Sequence, residues 1–167
     1  MTFKKKFIEE MAKISGRAEQ GQYSAEPQWK MVVKSKLKDT KKIAEIGDYV
    51  IYLHEDDMFY LTNATLDYLG FIEVRKTDKS DTFKIAYTNS NISGGFYKMM
   101  FDAIFGSGVK ELWSDVSLSS NALKSYQNMV KKGSFNIQVI TRDGEYMKFT
   151  KKALTAEDFN RISIKPL

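Results

Sequence analysis

The chain has 167 residues, 43% hydrophobic and 13% aromatic, enough for one folded domain with a buried core and too apolar for a disordered segment. It has no cysteine and one histidine, His54, which excludes disulfide and thiolate chemistry and argues against a histidine-based metal site or a Ser-His-Asp triad. The net charge of +5 is uneven: residues 1–47 carry eleven Lys or Arg against six Asp or Glu, and the remainder carries fifteen of each. That basic third reads either as a solvated flank or as a surface for nucleic acid or another anionic partner.

In chain order, FKKKFIEEMAKI (3–14) places Phe3, Phe7, Ile8, Met11 and Ile14 at helical spacing. Residues 17–28 are polar and contain Pro27, so they read as a loop. WKMVVKSKLK (29–38) alternates Met31, Val33 and Leu37 with Lys30, Lys34, Lys36 and Lys38, the pattern of an edge strand with a cationic outer face. A short helix is expected over 40–46. From Gly47 onward the chain reads as strands: DYVIYLH, MFYLTN, LDYLGFIEVRKT and TFKIAYT, with turns at Asp56-Asp57 and at 77–81.

FYKMMFDAIF is the most apolar helix, and VKELWSDVSL is the next strand. SSNALKSYQNMVKKG is a helix capped by Ser119 or Ser120 and closed by Gly133. In FNIQVITRDGEYMKFTK, Asp143-Gly144 predicts a hairpin with a two-residue turn. A turn of helix is expected over 155–161. No stretch approaches the ~20 apolar residues of a membrane span, and acids follow the first lysines at once, unlike a signal peptide. A cytoplasmic protein without a metal is the expectation. The Lys-, Asn- and Tyr-rich composition with two prolines suits a bacteriophage or low-GC bacterial gene. The element order defines an α/β domain with a mixed sheet.

Residues 89–108, NSNISGGFYKMMFDAIFGSG, raise a chemical question. A donor-rich turn stands directly before an apolar helix. Gly94-Gly95 removes Cβ atoms from the approach to the helix start, and a helix N-terminus offers backbone N–H groups and partial positive charge to a phosphate. Asn91 and Ser93 add side-chain donors. The alternative is a plain strand-to-helix turn.

That order, with three local motifs, resembles the GNAT superfamily of acyl-CoA N-acyltransferases. LGFIEVR (69–75) is similar to the family's third strand. FKIAYTNSNISGGFYKMMFDAIF is similar to its fourth strand, pyrophosphate loop and following helix. VKELWSDVSLSSNALKSYQNMVKKGSF is similar to its fifth strand and the N-x-x-A-x-x-x-Y-x-x-x-G-F helix, with Ala122, Tyr126 and Gly133-Ser134-Phe135 in register and Ser119 where Asn is frequent. The resemblance implies a GNAT-like, mostly antiparallel twisted sheet flanked by helices in one domain over 1–167. Within it, 1–47 is the basic region, 48–142 the best-matching core and 143–167 a C-terminal strand and tail.

The resemblance also implies acetyl-CoA or another acyl-CoA held by Ile85, Tyr87, Thr88, Asn91, Ser93, Gly94, Gly95 and Ser119. Tyr126 would protonate the leaving thiolate, and the acceptor would be the amine of a small molecule or a protein. Glu73, alternating with Ile72 and Val74, is the candidate base acting through water; Tyr126 reads equally as a packed tyrosine. His54 beside Glu55, Asp56 and Asp57 reads as a surface histidine, and Trp29 and Trp113 as core or groove lining. The family's loop begins with Gln or Arg and has a small residue where this chain has Phe96. A second reading therefore stands beside the first: a GNAT-fold protein without catalysis, acting as a binding module on nucleic acid or a partner protein through its basic third.

Overall fold

A computed structural model describes residues 24–116 and 118–167; the expected helix over 3–14 lies outside them. The class is α/β with a mostly antiparallel arrangement of nine strands and four helices among the described residues. Two compact units divide the chain near residue 110.

The first unit contains α1 (Glu26–Lys34), β1 (Thr40–Ile46), β2 (Tyr49–His54), β3 (Met58–Asn63), β4 (Tyr68–Lys76), β5 (Thr82–Ser90) and α2 (Phe96–Gly106). Its strands form an antiparallel meander, each pairing with the next. The strand expected over 29–38 is helix α1 instead. Pro27 sits in its first turn, where a missing N–H costs nothing, with Glu26 at the start and Lys34 at the end to suit the helix dipole. The two-residue alternation of Met31, Val33 and Leu37 was the misleading signal. The residues that bury are Ala25, Trp29 and Val32, spaced by four and three, while Met31 is 72% exposed. Trp29 holds the helix down: its indole N–H donates to the Leu66 carbonyl at 2.8 Å, and its ring lies 4.9 Å from that of Tyr60 and 5.4 Å from that of Tyr52.

The helix expected over 40–46 is strand β1. Lys, Ala and Glu favour a helix, but pairing with β2 from Thr40–His54 to Ile46–Tyr49 overrides local preference. At the β3–β4 turn, Asn63 and Thr65 donate hydrogen bonds to the Asp67 carboxylate. Those bonds, Asn63 first, hold its pKa below the ordinary value.

Helix α2 is apolar nearly all round and buries Phe96, Met99, Met100, Phe101, Ala103 and Ile104. Its exposed charges, Lys98 and Asp102, pair one turn apart. Register places α1 and α2 on opposite faces of the meander. Trp29 and Val32 cluster with Tyr60 and Phe71, which are cross-strand partners. Phe96 meets Gly70, which lies opposite Leu61 on the other face.

The second unit contains β6 (Glu111–Trp113), α3 (Ser120–Lys132), β7 (Asn136–Thr141), β8 (Tyr146–Lys148), α4 (Lys151–Leu154) and β9 (Phe159–Lys165), with strand order β6-β9-β7-β8. Among the described residues of the segment expected to be a long strand from 109 to 118, only 111–113 is strand, and Ser114 N–H adds a bond to Ile162 O at 2.8 Å. The tail differs most from expectation. One helical turn comes earlier, at 151–154, and 159–165 is strand β9, inserted between β6 and β7. Alternation in FNRISIK is the local sign of it, since Ile162 and Ile164 bury.

The β7–β8 hairpin is present, closed by three residues rather than two. Thr141 N–H donates to Glu145 O at 2.9 Å, and Gly144 N–H donates to Thr141 O at 3.0 Å. Buried Glu111 organises the sheet's polar interior: its Oε2 accepts from Trp113 Nε1 at 2.7 Å, Tyr146 OH at 2.6 Å and Ser163 Oγ at 2.7 Å. A buried carboxylate is tolerated here because donors from three strands meet it. Among the described residues no helix is long and apolar enough to cross a membrane.

Candidate functional site

The site is built on the end of β5 and the start of α2. Asn89 is buried and fixes the exit of the strand, its Oδ1 accepting from Tyr68 OH at 2.9 Å. Tyr68 OH in turn accepts from Ala25 N–H at 3.2 Å, so the polar chain reaches the first residues of α1. Asn91 N–H donates to Leu69 O at 2.8 Å, and Ser90 Oγ bonds both the N–H and the carbonyl of Ile92. Beyond that anchored stretch Ser93, Gly94 and Gly95 are exposed.

Gly94 and Gly95 have φ of +82° and +76°, a conformation that side chains other than Gly resist. A Cβ at either position would meet nothing within 4 Å, so open space lies over this backbone. Gly95 is the N-cap of α2, with no side-chain cap and no acid in the first turn. A helix start of this kind presents N–H groups that its own backbone does not satisfy, and no side-chain carboxylate competes for them there.

Phe96, the bulky residue after the glycines, points inward. It is 3% exposed, and a Cβ built on Gly70 would come within 2.7 Å of Phe96 Cε1 and 2.7 Å of Asn89 O. Its ring therefore uses space that only a glycine on β4 leaves and does not obstruct the loop's outer face. A glycine inside a strand pattern signals close backbone approach, so LGFIEVR carried this signal; its partner, Phe96, was not legible.

Strand β5 has an irregularity at the centre. Tyr87 pairs with Glu73 and Ile85 with Val74, leaving Ala86 without an opposite residue. Bulges of this type bend a strand and interrupt its ladder, often beside functional sites. Ile85 is buried, Tyr87 is 40% exposed, and the Oγ1 of Thr88 is buried without a hydrogen-bond partner. Glu73, directly across from Tyr87, is half-buried and lies 3.4 Å from Arg75. It opens into a pocket of about 490 Å³ whose lining includes Met31, Tyr60, Met58 and Asp57. His54 also lines it, with Nδ1 2.7 Å from Thr40 Oγ1 and Nε2 3.6 Å from Glu55 Oε1.

The first unit thus gathers Glu73, Ile85, Tyr87, Thr88, Asn91, Ser93, Gly94 and Gly95. Tyr126 and Ser119 belong to the second unit. Ser119 is the N-cap of α3, its Oγ accepting from Ala122 N–H at 3.1 Å. Tyr126 is buried on the apolar face of that helix with Leu123 and Met129. Trp29 is core, and Trp113 is half-buried beside Glu111. Lys30 and Lys34 stand on α1, with Lys36 and Lys38 on the segment after it. No group of three or more metal-ligating side chains is gathered among the described residues.

No family model and no curated protein sequence matches the chain. Among solved structures, the chain is similar to a diaminobutyrate acetyltransferase from Paenibacillus lautus, in complex with L-2,4-diaminobutyric acid and coenzyme A. Identity is 13%, covering 90% of this chain and 93% of that one, with a TM-score of 0.44. It is similar to an N-acetylglutamate synthase from Neisseria gonorrhoeae, complexed with coenzyme A and N-acetyl-glutamate, at 15% identity and a TM-score of 0.44. There it covers 89% of this chain but only 34% of that one. A GNAT-family acetyltransferase from Staphylococcus aureus Mu50 is similar at 11% identity over 99% of this chain and 93% of that one, with a TM-score of 0.40.

The Gly70 contact yields a prediction. Gly70→Ala forces Asn89 and Phe96 apart and costs about 1–3 kcal/mol, as overpacking does. Combining it with Phe96→Leu recovers only part of the loss, because the Asn89 carbonyl stays in place. Denaturant melts of the two single variants and the double variant measure the coupling; an unchanged midpoint for Gly70→Ala would show that the loop is not seated this way.

Proposed function

We propose that this chain is a GNAT-type N-acyltransferase that takes an acyl-CoA, acetyl-CoA first among them, and transfers the acyl group to an amine. One observation carries the reading: the exposed Gly94-Gly95 turn, with open space above it, leads into the uncapped, acid-free N-terminus of α2. The residues present fit a pyrophosphate in shape and in donor chemistry. Gly94, Gly95 and the first turn of α2 would hold it through backbone N–H groups, with Asn91 and Ser93 beside them. The interrupted stretch Ile85–Thr88 would hold the cofactor's amide-bearing arm, where the bulge breaks the ladder and Thr88 keeps an unpaired hydroxyl. Ser119 enters through the resemblance of its motif.

When bound, the thioester supplies an activated carbonyl. Glu73 would take the proton that the attacking amine must lose, through a water, and Tyr126 would protonate the departing thiolate, the role its motif implies. No nucleophilic side chain is needed, which suits a chain without cysteine. The loop lacks the family's Arg or Gln, and the one cation in the first turn, Lys98, pairs with Asp102. Backbone donors therefore have to hold the phosphates, so affinity should be lower than in a loop with its own guanidinium. The protein would work as a soluble cytoplasmic enzyme.

Calorimetric titration with acetyl-CoA and CoA is the test. One-to-one binding is expected, weakened at least about tenfold by Gly95→Val, which blocks the approach and strains a positive φ. Absence of binding at millimolar cofactor, by a protein whose melting curve shows it folded, would end this reading.

Tyr126→Phe addresses the acid. Acyl transfer should fall by about 10²-fold or more while CoA affinity stays within error. Equal turnover by wild type and variant would leave Tyr126 a packing residue.

A second reading, nucleic-acid binding, draws on a different feature. Lys34, Lys36, Lys38 and Lys41 are exposed and have no acidic partner among the described residues. Lys36 and Lys38 lie within, and Lys34 and Lys41 beside, a segment in which Lys36, Leu37 and Asp39 all have positive φ. Affinity for duplex DNA should then fall with salt, and replacing the four lysines by alanine should reduce the log–log slope by about 3–4. Salt-independent binding, or none, would remove it.

A further inference from the structure

The pocket beside Glu73 has a composition that selects among amines. It lies on the α1 face of the meander, entirely within the first unit, and is about 490 Å³ in volume, inside the roughly 300–1,000 Å³ range of small-molecule sites. Met31, Met58 and Tyr60 make an apolar wall, and Met31 is 72% exposed. The ionisable groups facing in are Glu73 on β4, Glu55 and Asp57 on the β2–β3 turn, and His54; no lysine or arginine is among the lining residues. The turn is held in place, since Asp57 O accepts from Val74 N–H at 2.9 Å and Glu55 N–H donates to Asp39 O at 2.8 Å.

Resting on the acyltransferase reading, we infer that the acceptor is an aliphatic diamine or polyamine without a carboxylate. Charge complementarity names it. One nitrogen lies at Glu73, the methylene chain lies along Met31, Met58 and Tyr60, and the second ammonium lies against Asp57 and Glu55. Flexible thioether side chains accommodate an unbranched chain. An amino-acid carboxylate would meet acids on the same wall, and the cation beside it, Arg75, is already paired with Glu73 at 3.4 Å. In the transfer, the nitrogen at Glu73 forms the C–N bond as the thioester's C–S bond breaks. That nitrogen's proton goes to Glu73 through water, and the thiolate takes a proton as it leaves.

Three acceptors that differ by one group test this: putrescine, n-butylamine, which lacks the second charge, and ornithine, which adds a carboxylate. Initial rates with acetyl-CoA give kcat/KM for each, and calorimetry with and without CoA gives direct binding. The expected result is a preference for putrescine of about tenfold or more over each of the others, the worth of one charge-assisted contact. Asp57→Asn, Glu55→Gln and Met31→Lys, all at exposed positions, should each shrink that preference toward one. Equal handling of the three amines, or a preference for ornithine, overturns the inference. If acetyl-CoA binds and is used on other amines while putrescine has no advantage, only the pocket assignment fails. If putrescine binds and Asp57→Asn weakens it while acetyl-CoA does not bind, the acyltransferase reading fails and the pocket assignment stands.

Discussion

The absence of a side chain at Gly70 is the constraint on which the first unit depends. At this point β4, the end of β5 and the first residue of α2 come closer than any other residue would allow, with the Asn89 carbonyl and the Phe96 ring each 2.7 Å from where a Cβ would stand. On the opposite face Tyr68 bonds the Asn89 side chain. The segment is therefore clamped from both sides of the sheet, and the exposed turn that follows starts from a fixed base. Backbone donors that are already oriented need little reorganisation to receive an anion, which matters most in a loop without a guanidinium.

The missing cation sets the scale of the proposed site. A helix N-terminus carries roughly half an elementary charge, worth about 0.3–1 kcal/mol to a nearby anion when exposed, and contacts to a charged partner add about 1.5–3 kcal/mol each. The dipole is therefore the smaller contribution, and the count of well-aimed N–H groups decides affinity. That is why the conformation of Gly94 and Gly95 counts for more than the apolarity of the helix behind them. Phe96, at first sight an obstruction, belongs to the Gly70 contact and leaves those donors uncovered.

Much of this was legible where local and global preferences agree. Strands β2 to β5 announce themselves by alternating or continuous apolar runs with polar turns, α2 by an apolar block long enough to be a helix, and α3 by a cap, an apolar face and a closing glycine. The failures share a cause. In 29–38 the lysines alternate at a period of two while the buried residues recur at helical spacing, and only the packing of Trp29 on Tyr52 and Tyr60 decides between them. In 40–46 helix-favouring residues became an edge strand because β2 offered a partner. Strand β9 was hidden because its partners, β6 and β7, lie far back in the sequence, and pairing at that distance leaves little local trace. Of the candidate site, the glycine turn was visible as punctuation. The bulge at Ala86 and the Gly70–Phe96 contact were not, since both are properties of register between strands.

The charge map of the first unit then makes sense at two ranges. Lys30, Lys34, Lys36, Lys38, Lys41 and Lys42 would repel a diamine at long distance, yet at physiological salt exposed charges are screened beyond about 8 Å. At contact distance the pocket's Glu55, Asp57 and Glu73 outnumber Arg75, which pairs with Glu73 at 3.4 Å. Long-range repulsion lowers the rate of encounter, while short-range pairing governs how long a cation stays. A small diamine, carrying two charges on an apolar chain, gains most from that division.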